Sequence, residues 1–386
     1  MTVRLVVPIA VGLAALGWWL SISIVGTPGT PAATPPPRSL AGILRDVPDS
    51  GFARALGPVA FRFPADHGAH PQYRSEWWYV SGNLEDADRH HFGFQLTFFR
   101  SAVTPEAPGR DSAWATNQAY MAHFAISDGA GRRFYHGERF SRGALGLAGA
   151  SAAPFRVWLD DWSMHGTSDD FRCRGCLTFT VSAGTEETAL ELSLRSIKPV
   201  VLQGDRGFSR KSEEPGNASF YYSLTRLQSS GTLRIGARTY EVSGYSWLDR
   251  EWSTSMLGAN QQGWDWFALQ LFDGTEVMFY QMRRRDGGVD STSSGTIVDV
   301  AGVTTNLRSQ DVQINVDDYW RSPGSGVRYP SRWQFSVPQH GIDVVVEPVL
   351  AEQEFNRTFR YWEGAVWARR GEETVGFGYV ELTGYQ

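Results

Sequence analysis

Along most of this chain apolar and polar positions alternate every second residue, in short runs that begin near Phe61 and follow one another to the end. That period belongs to strands buried on one face. Glu76–Leu84 reads as a strand, followed by a turn through Glu85-Asp86-Ala87-Asp88 and a partner over Phe92–Phe99. In that partner Phe92, Phe94, Leu96 and Phe98 share one side. Tyr120–Ser127, Phe155–Leu159, Leu177–Val181, Ala189–Ser196, Tyr221–Leu227, Gly231–Ile235 and Tyr240–Val242 predict further strands. A second series begins near Gly244; in it Trp264–Phe272 turns at Asp273-Gly274 and returns over Glu276–Arg283 as a hairpin. Gly295–Val300, Val312–Val316, Arg332–Val337 and Ile342–Pro348 follow, then a closing pair at Tyr361–Trp367 and Gly376–Leu382. The polar, Pro-containing stretch Ser101–Ala119 reads as a loop over a barrel mouth. Many short strands with few helical stretches predict an all-β protein of closed or nearly closed antiparallel barrels.

A length of 386 residues suits two domains, expected over 58–243 and 244–386. The halves echo one another weakly, Trp78–Leu84 and Trp266–Leu271 each leading into an apolar partner strand. Residues 1–26 read differently: Arg4 precedes an apolar stretch from Leu5 to Val25, about long enough to span a bilayer. This is expected to be a signal peptide or an N-terminal membrane anchor, and it holds no cysteine for a lipid attachment. Residues 27–57, with Pro35-Pro36-Pro37, read as a linker and lead-in. The body is therefore expected outside the cytoplasm, in the periplasm or cell envelope. Cys173 and Cys176, the two cysteines, sit before a strand and not a helix, which favours a small disulfide in a tight turn over redox chemistry. A net charge of −5 without a long basic run gives no reason to expect a nucleic-acid partner.

Composition then points to chemistry. The chain holds 15 tryptophans, and acids lie against them in Glu76-Trp77-Trp78-Tyr79 and Trp247-Leu248-Asp249-Arg250-Glu251-Trp252. A carboxyl among indoles loses solvation, so it keeps a proton to higher pH and serves as a general acid. Aromatic faces also steady a passing positive charge. On a strand Asp249 and Glu251 would share one face and Arg250 the other. The competing reading makes these groups a buried ion-pair network, and makes Glu76 with its tryptophans the base of a barrel. Asp66-His67-x-x-His70 is bracketed by Pro64 and Pro71 and has no third ligand nearby, so no metal site is expected there and His67 reads rather as a proton shuttle. Gly204-Asp205-Arg206-Gly207-Phe208-Ser209-Arg210-Lys211 reads as a solvated turn, lacking the phosphate-loop spacing. Ser209 and Ser246 have no glycine frame of the hydrolase elbow kind.

Four segments carry a family resemblance. They are Phe63–Pro71 leading into Glu76–Tyr79, Lys198-Pro199-Val200 through Gly204-Asp205, Asn217–Ser223, and Gly244–Ser253. With the ending Tyr361-Trp362-Glu363-Gly364 and Gly378–Tyr385, the chain from about residue 55 onward resembles the secreted two-domain lipocalin-like proteins grouped with carotenoid 1,2-hydratase. The resemblance implies two calycin-type β-barrels and addition of water to a terminal isoprenoid double bond, with no cofactor. It places Trp252 at a tryptophan important for activity, Arg250 where the hydratases carry histidine, and Asp265 or Asp273 as an acid on the following strand. Asp249, Glu251, Trp252 and Arg250 are thus the catalytic candidates. Trp247, Tyr245, Glu76, Trp77, Trp78, Asp265 and Trp266 are the substrate-contact candidates. The expected ligand is a long apolar small molecule. A second reading keeps the ligand and drops the chemistry: a lipid carrier at the membrane, working beside an export transporter.

Overall fold

Strand follows strand in the computed structural model, which describes residues 38–39, 50–169, 173–255 and 257–386. The expected export segment and most of the linker lie outside the described residues. Among those described, no helix is long and apolar enough to cross a membrane.

The strands form two antiparallel sheets. The first runs in the order Arg133–Arg142, Gln118–Asp128, His91–Ala102, Ser75–Glu85, Arg238–Ser253, Ala218–Ile235, Thr188–Ser196, Leu177–Gly184, Trp162–Asp169, Phe155–Leu159, Ala148–Ala152. The second runs Thr304–Arg308, Ser294–Val298, Glu276–Arg284, Gln261–Leu271, Glu373–Leu382, Phe359–Arg370, Ile342–Pro348, Arg328–Val337, Gln313–Arg321. Arg38–Ser39 adds a two-residue parallel pairing to Phe359–Arg360. Each sheet wraps its own core. Trp78, Val80, Leu96, Phe124, Phe179 and Leu248 meet inside the first, and Phe267, Leu269, Trp333, Phe335, Val366 and Val380 inside the second. This is the lipocalin-like two-barrel fold expected from the alternating pattern.

A third apolar cluster lies between the barrels, where Tyr79, Tyr221 and Trp247 of the first sheet meet Trp266, Met278, Tyr280, Ala365 and Tyr379 of the second. Strands here are buried on both faces, so Ser75–Glu85 and Gln261–Leu271 show almost unbroken burial instead of alternation. Gly93 shows how close the sheets come, since a Cβ there would stand 2.4 Å from the Ala365 Cβ. Gly93→Val is therefore expected to destabilise the protein by about 1–3 kcal/mol in urea titrations, as overpacking does. A charged pin adds to the join. Lys198 and Arg226, both from the part of the chain that builds the first sheet, hold the buried Glu276 carboxylate of the second sheet between them.

Two expectations need correcting. The break expected at 243–244 falls inside the long strand Arg238–Ser253, which belongs wholly to the first sheet. The change of sheet lies between Ser253 and Gln261. Gly244 suggested a break but is needed for close approach, since a Cβ there would stand 2.1 Å from the Asn83 carbonyl oxygen. The strands Arg133–Arg142, Ala148–Ala152 and Trp162–Asp169 were not expected. Arg133–Arg142 is an edge strand whose charges cap the sheet, and they hide its period. Cys173 and Cys176 are joined by the expected disulfide.

Candidate active site

The aromatic cluster between the barrels is not completely filled. It encloses a cavity of about 80 Å³ lined from both sheets. Trp77, Tyr79, Thr97, Phe99, Tyr221, Asp249, Glu251 and Lys211 come from the chain up to Ser253, which builds the first sheet, and Trp264, Trp266, Tyr280, Met282, Tyr361, Glu363 and Glu381 from the chain after it, which builds the second. The lining thus carries four carboxyls and one ammonium group. So many buried acids against one cation cannot all ionise at low cost.

Asp249 and Glu251 reach the cavity by strand geometry, because alternate residues of Arg238–Ser253 face alternate sides. Trp247, Asp249 and Glu251 point between the barrels, while Leu248, Arg250 and Trp252 point into the first barrel. Asp249 Oδ1 accepts hydrogen bonds from Ser223 Oγ at 2.5 Å and Trp247 Nε1 at 2.7 Å, and Oδ2 accepts one from the Tyr221 hydroxyl at 2.6 Å. Trp266 Nε1 donates to the same Tyr221 oxygen at 3.2 Å. Burial lifts the Asp249 carboxyl to about 7, the Glu251 charge adds to the rise, and these three donors oppose it. The result is an acid half protonated near neutral pH, in aromatic surroundings.

Glu251 is held otherwise. Ser219 Oγ donates to it, and Lys211 Nζ lies 2.8 Å from Oε1. Burial opposes the charge of Lys211, but the facing Glu251 carboxylate more than compensates and holds the ammonium above its ordinary range. Its Nζ also sits over the Tyr280 and Tyr221 rings, at 4.2 and 5.1 Å from their centroids.

Glu381 and Glu363 enter from neighbouring strands of the second sheet, where they stand directly opposite one another. Burial raises both; Glu381 is pushed up to about 8, helped by the Glu251 and Asp249 charges, and Glu363 rises further against Glu381. Opposite one another and both buried, the two titrate together, so ionising one holds the proton on the other. Trp264 Nε1 donates to Glu381 Oε1 at 3.1 Å. Glu363 Oε1 and the Tyr79 hydroxyl are buried without a well-formed hydrogen bond, leaving polar atoms at the cavity for a water or a substrate oxygen.

Of the residues proposed from sequence, Asp249, Glu251, Trp77 and Trp266 line this cavity, and Trp247 supports it through Asp249. The others lie elsewhere. Arg250, Trp252, Glu76 and Trp78 are inside the first barrel. Arg250 and Arg100 both bind the Glu76 carboxylate, the Arg250 guanidinium lies 3.9 Å from the Trp78 ring centroid, and Trp252 stacks on His70 with 3.9 Å between centroids. Arg250 is in a buried ion pair, but with Glu76 inside the first barrel, and not in the network with Asp249 and Glu251 that the competing reading expects. Tyr245 is 42 % exposed on the surface. Asp265 is tied to Arg283 and Tyr385 away from the lining, and Asp273 binds its own hairpin turn through the Thr275 amide. His67 accompanies Tyr222 in the first barrel, and burial holds it neutral, at about 3.

Glu363, Glu381, Lys211, Tyr221 and Tyr361 went unrecognised as site residues. The signal that singles out Asp249, an acid against tryptophan, is also present at Trp362-Glu363; Glu381 stands among Tyr379, Val380 and Leu382 with no tryptophan beside it, so only its apolar neighbours mark it. Lys211, at the end of the stretch expected as a solvated turn, is buried, because the chain from Gly204 folds back along the strand Ala218–Ile235.

Fold and site together describe a two-barrel lipocalin-like protein with an acid-rich aromatic cavity between the barrels. The chain belongs to the AttH-like family, whose pattern matches residues 54–385. It is similar to the structure of an AttH from Nitrosomonas europaea, with 33% identity over 87% of this chain and 100% of that one, and a TM-score of 0.76. It shares its fold with kievitone hydratase from Nectria haematococca, at 13% identity and a TM-score of 0.63 over 86% of this chain and 98% of that one. No curated protein matches it by sequence.

Proposed function

We propose that the protein is a hydratase that adds water across a carbon–carbon double bond of a long apolar, isoprenoid-like substrate. The observation that carries this reading is Asp249, buried at the cavity among Trp247, Tyr221 and Trp266 with no cation paired to it, where burial lifts its carboxyl to about 7. Hydration of an alkene transfers a proton to one carbon and leaves a cation on the other, which water then captures. Asp249 donates the proton. The faces of Trp77, Trp266, Tyr221 and Phe99 surround the cation, and the protonated Glu363–Glu381 pair with Tyr79 holds the attacking water. The cavity admits one end of such a substrate, which suits reaction at a terminal bond. The fold shared with kievitone hydratase is in keeping with this chemistry.

The test is mass spectrometry of organic extracts after incubating the purified protein with lycopene or neurosporene. A product heavier by one water is expected. An unchanged, co-purified lipid and no such product would overturn the reading in favour of a carrier.

A further inference from the structure

The cavity has a second line of polar groups that leads away from it. His123 lies on the strand Gln118–Asp128, with Ala122 and Phe124 on either side of it turned into the first barrel. Period-2 geometry therefore aims its ring at the second sheet, where it stacks on Phe355 with centroids 4.3 Å apart. Its Nδ1 is 2.7 Å from the hydroxyl of Tyr361, a cavity residue. Its Nε2 is 3.2 Å from Glu138 Oε2 on the adjoining strand, directly opposite in register. The Glu138 side chain is 10% exposed, so the line runs from solvent to the cavity wall.

The partners decide where the protons sit. An ionised carboxylate only accepts, so His123 Nε2 carries the proton that faces Glu138. In the neutral ring Nδ1 then has a lone pair, and the Tyr361 hydroxyl donates to it. The Tyr361 oxygen accepts from Gln95 Nε2 at 3.3 Å, which leaves one lone pair on the cavity side, where Glu363 stands within reach of the same hydroxyl. Burial keeps the His123 imidazole neutral at rest, though Glu138 pulls the other way.

We propose that Glu138, His123 and Tyr361 form a proton relay that serves the cavity, with Tyr361 as the group that touches the reacting water. The proposal rests on the hydratase reading for its reaction. As water bonds to the cationic carbon, its surplus proton passes to the Tyr361 oxygen while the Tyr361 proton passes to His123 Nδ1. The imidazolium so formed is paired with the Glu138 carboxylate, and its Nε2 proton leaves to solvent there, which leaves the Nδ1–H ring. When product departs, a proton taken up from solvent at Nε2 sends the Nδ1 proton back to the Tyr361 oxygen, and the Tyr361 proton passes through a cavity water to the ionised Asp249, so that Asp249 is protonated again and the resting Nε2–H tautomer returns. His123 and Glu138 are positioning residues that act through Tyr361.

The test has an arm that needs no turnover. In protein labelled with ¹⁵N-histidine, His123 is expected as the neutral Nε2–H tautomer, and Tyr361→Phe should shift the Nδ1 resonance by removing its donor. The second arm is steady-state turnover of lycopene. There His123→Ala and Tyr361→Phe should each lower kcat by about 100-fold or more, with KM changed less than about threefold. Added imidazole should restore part of the His123→Ala rate but none of the Tyr361→Phe rate. If His123→Ala fails to fold, Tyr361→Phe, which removes one atom, carries the same test. An Nδ1–H tautomer, or turnover by Tyr361→Phe within about threefold of the parent, would overturn the relay. A parent protein that shows the Nε2–H tautomer and the Nδ1 shift but hydrates nothing would overturn the hydratase reading and leave the wiring in place.

Discussion

Asp249→Asn is expected to lower kcat/KM for hydration by about 1000-fold while the protein folds and still retains its apolar ligand. The amide keeps the shape and one acceptor oxygen but has no proton to give to carbon. The pH dependence gives an independent check. Asp249 acts in its protonated form, and burial places its midpoint at about 7. The rate should therefore hold steady on the acid side of that point and fall as pH rises through it, by about tenfold per unit at the limit. Glu251→Gln tests the cause of the shift. The Glu251 charge helps raise Asp249, so removing it, with Lys211 left in place, should move the alkaline fall to lower pH. A profile unmoved by Glu251→Gln and still intact in Asp249→Asn would assign the acid elsewhere, with Glu381 next in line.

The second large effect concerns stability and lies inside the first barrel. Glu76 is buried with Arg100, Arg250 and His70 around its carboxylate. Removing one member of such a network leaves uncompensated buried charge, so Glu76→Gln is expected to cost about 3–5 kcal/mol in urea denaturation. Burial alone would raise the Glu76 carboxyl; the Arg250 guanidinium foremost, with His70 and Arg100, outweighs it and holds the carboxyl well below its ordinary 4.5. A depressed carboxylate stabilises the fold above its unfolded value, and this stability is lost as pH falls toward the folded one. The gap between parent and variant should be full near pH 7 and close progressively below about pH 4.5. A gap that stayed constant down to pH 3 would mean that Glu76 stabilises by packing and not by charge.

The two acids belong to one signal in the sequence, a carboxyl pressed against tryptophan, and they do opposite things. Glu76 points into a barrel where two arginines meet it. Asp249 points out of the same sheet, where Ser223, Tyr221 and Trp247 meet it without a cation. Local spacing shows that Asp249 and Arg250 face opposite ways, but not which way is the barrel and which the cavity. Trp252 and Arg250 were drawn toward the site by their place in the motif, and the pleat sends them to the other face.

By itself the sequence determined the all-β class, the two series of strands, the Asp273-Gly274 hairpin and the pairing of Asp249 with Glu251 on one face. These follow from period-2 alternation and turn chemistry, which act over a few residues. Only the tertiary structure decided that Glu363 and Glu381 join Asp249 and Glu251, that Lys211 turns inward, and that His123 reaches Tyr361 from the other barrel. Those contacts depend on which outer faces of the two sheets are pressed together. That choice is made by the summed packing of the aromatic cluster between the barrels, with Gly93 allowing the close approach and Glu276 pinned across the join. Hydrophobic burial is non-directional, so no single spacing along the chain encodes it.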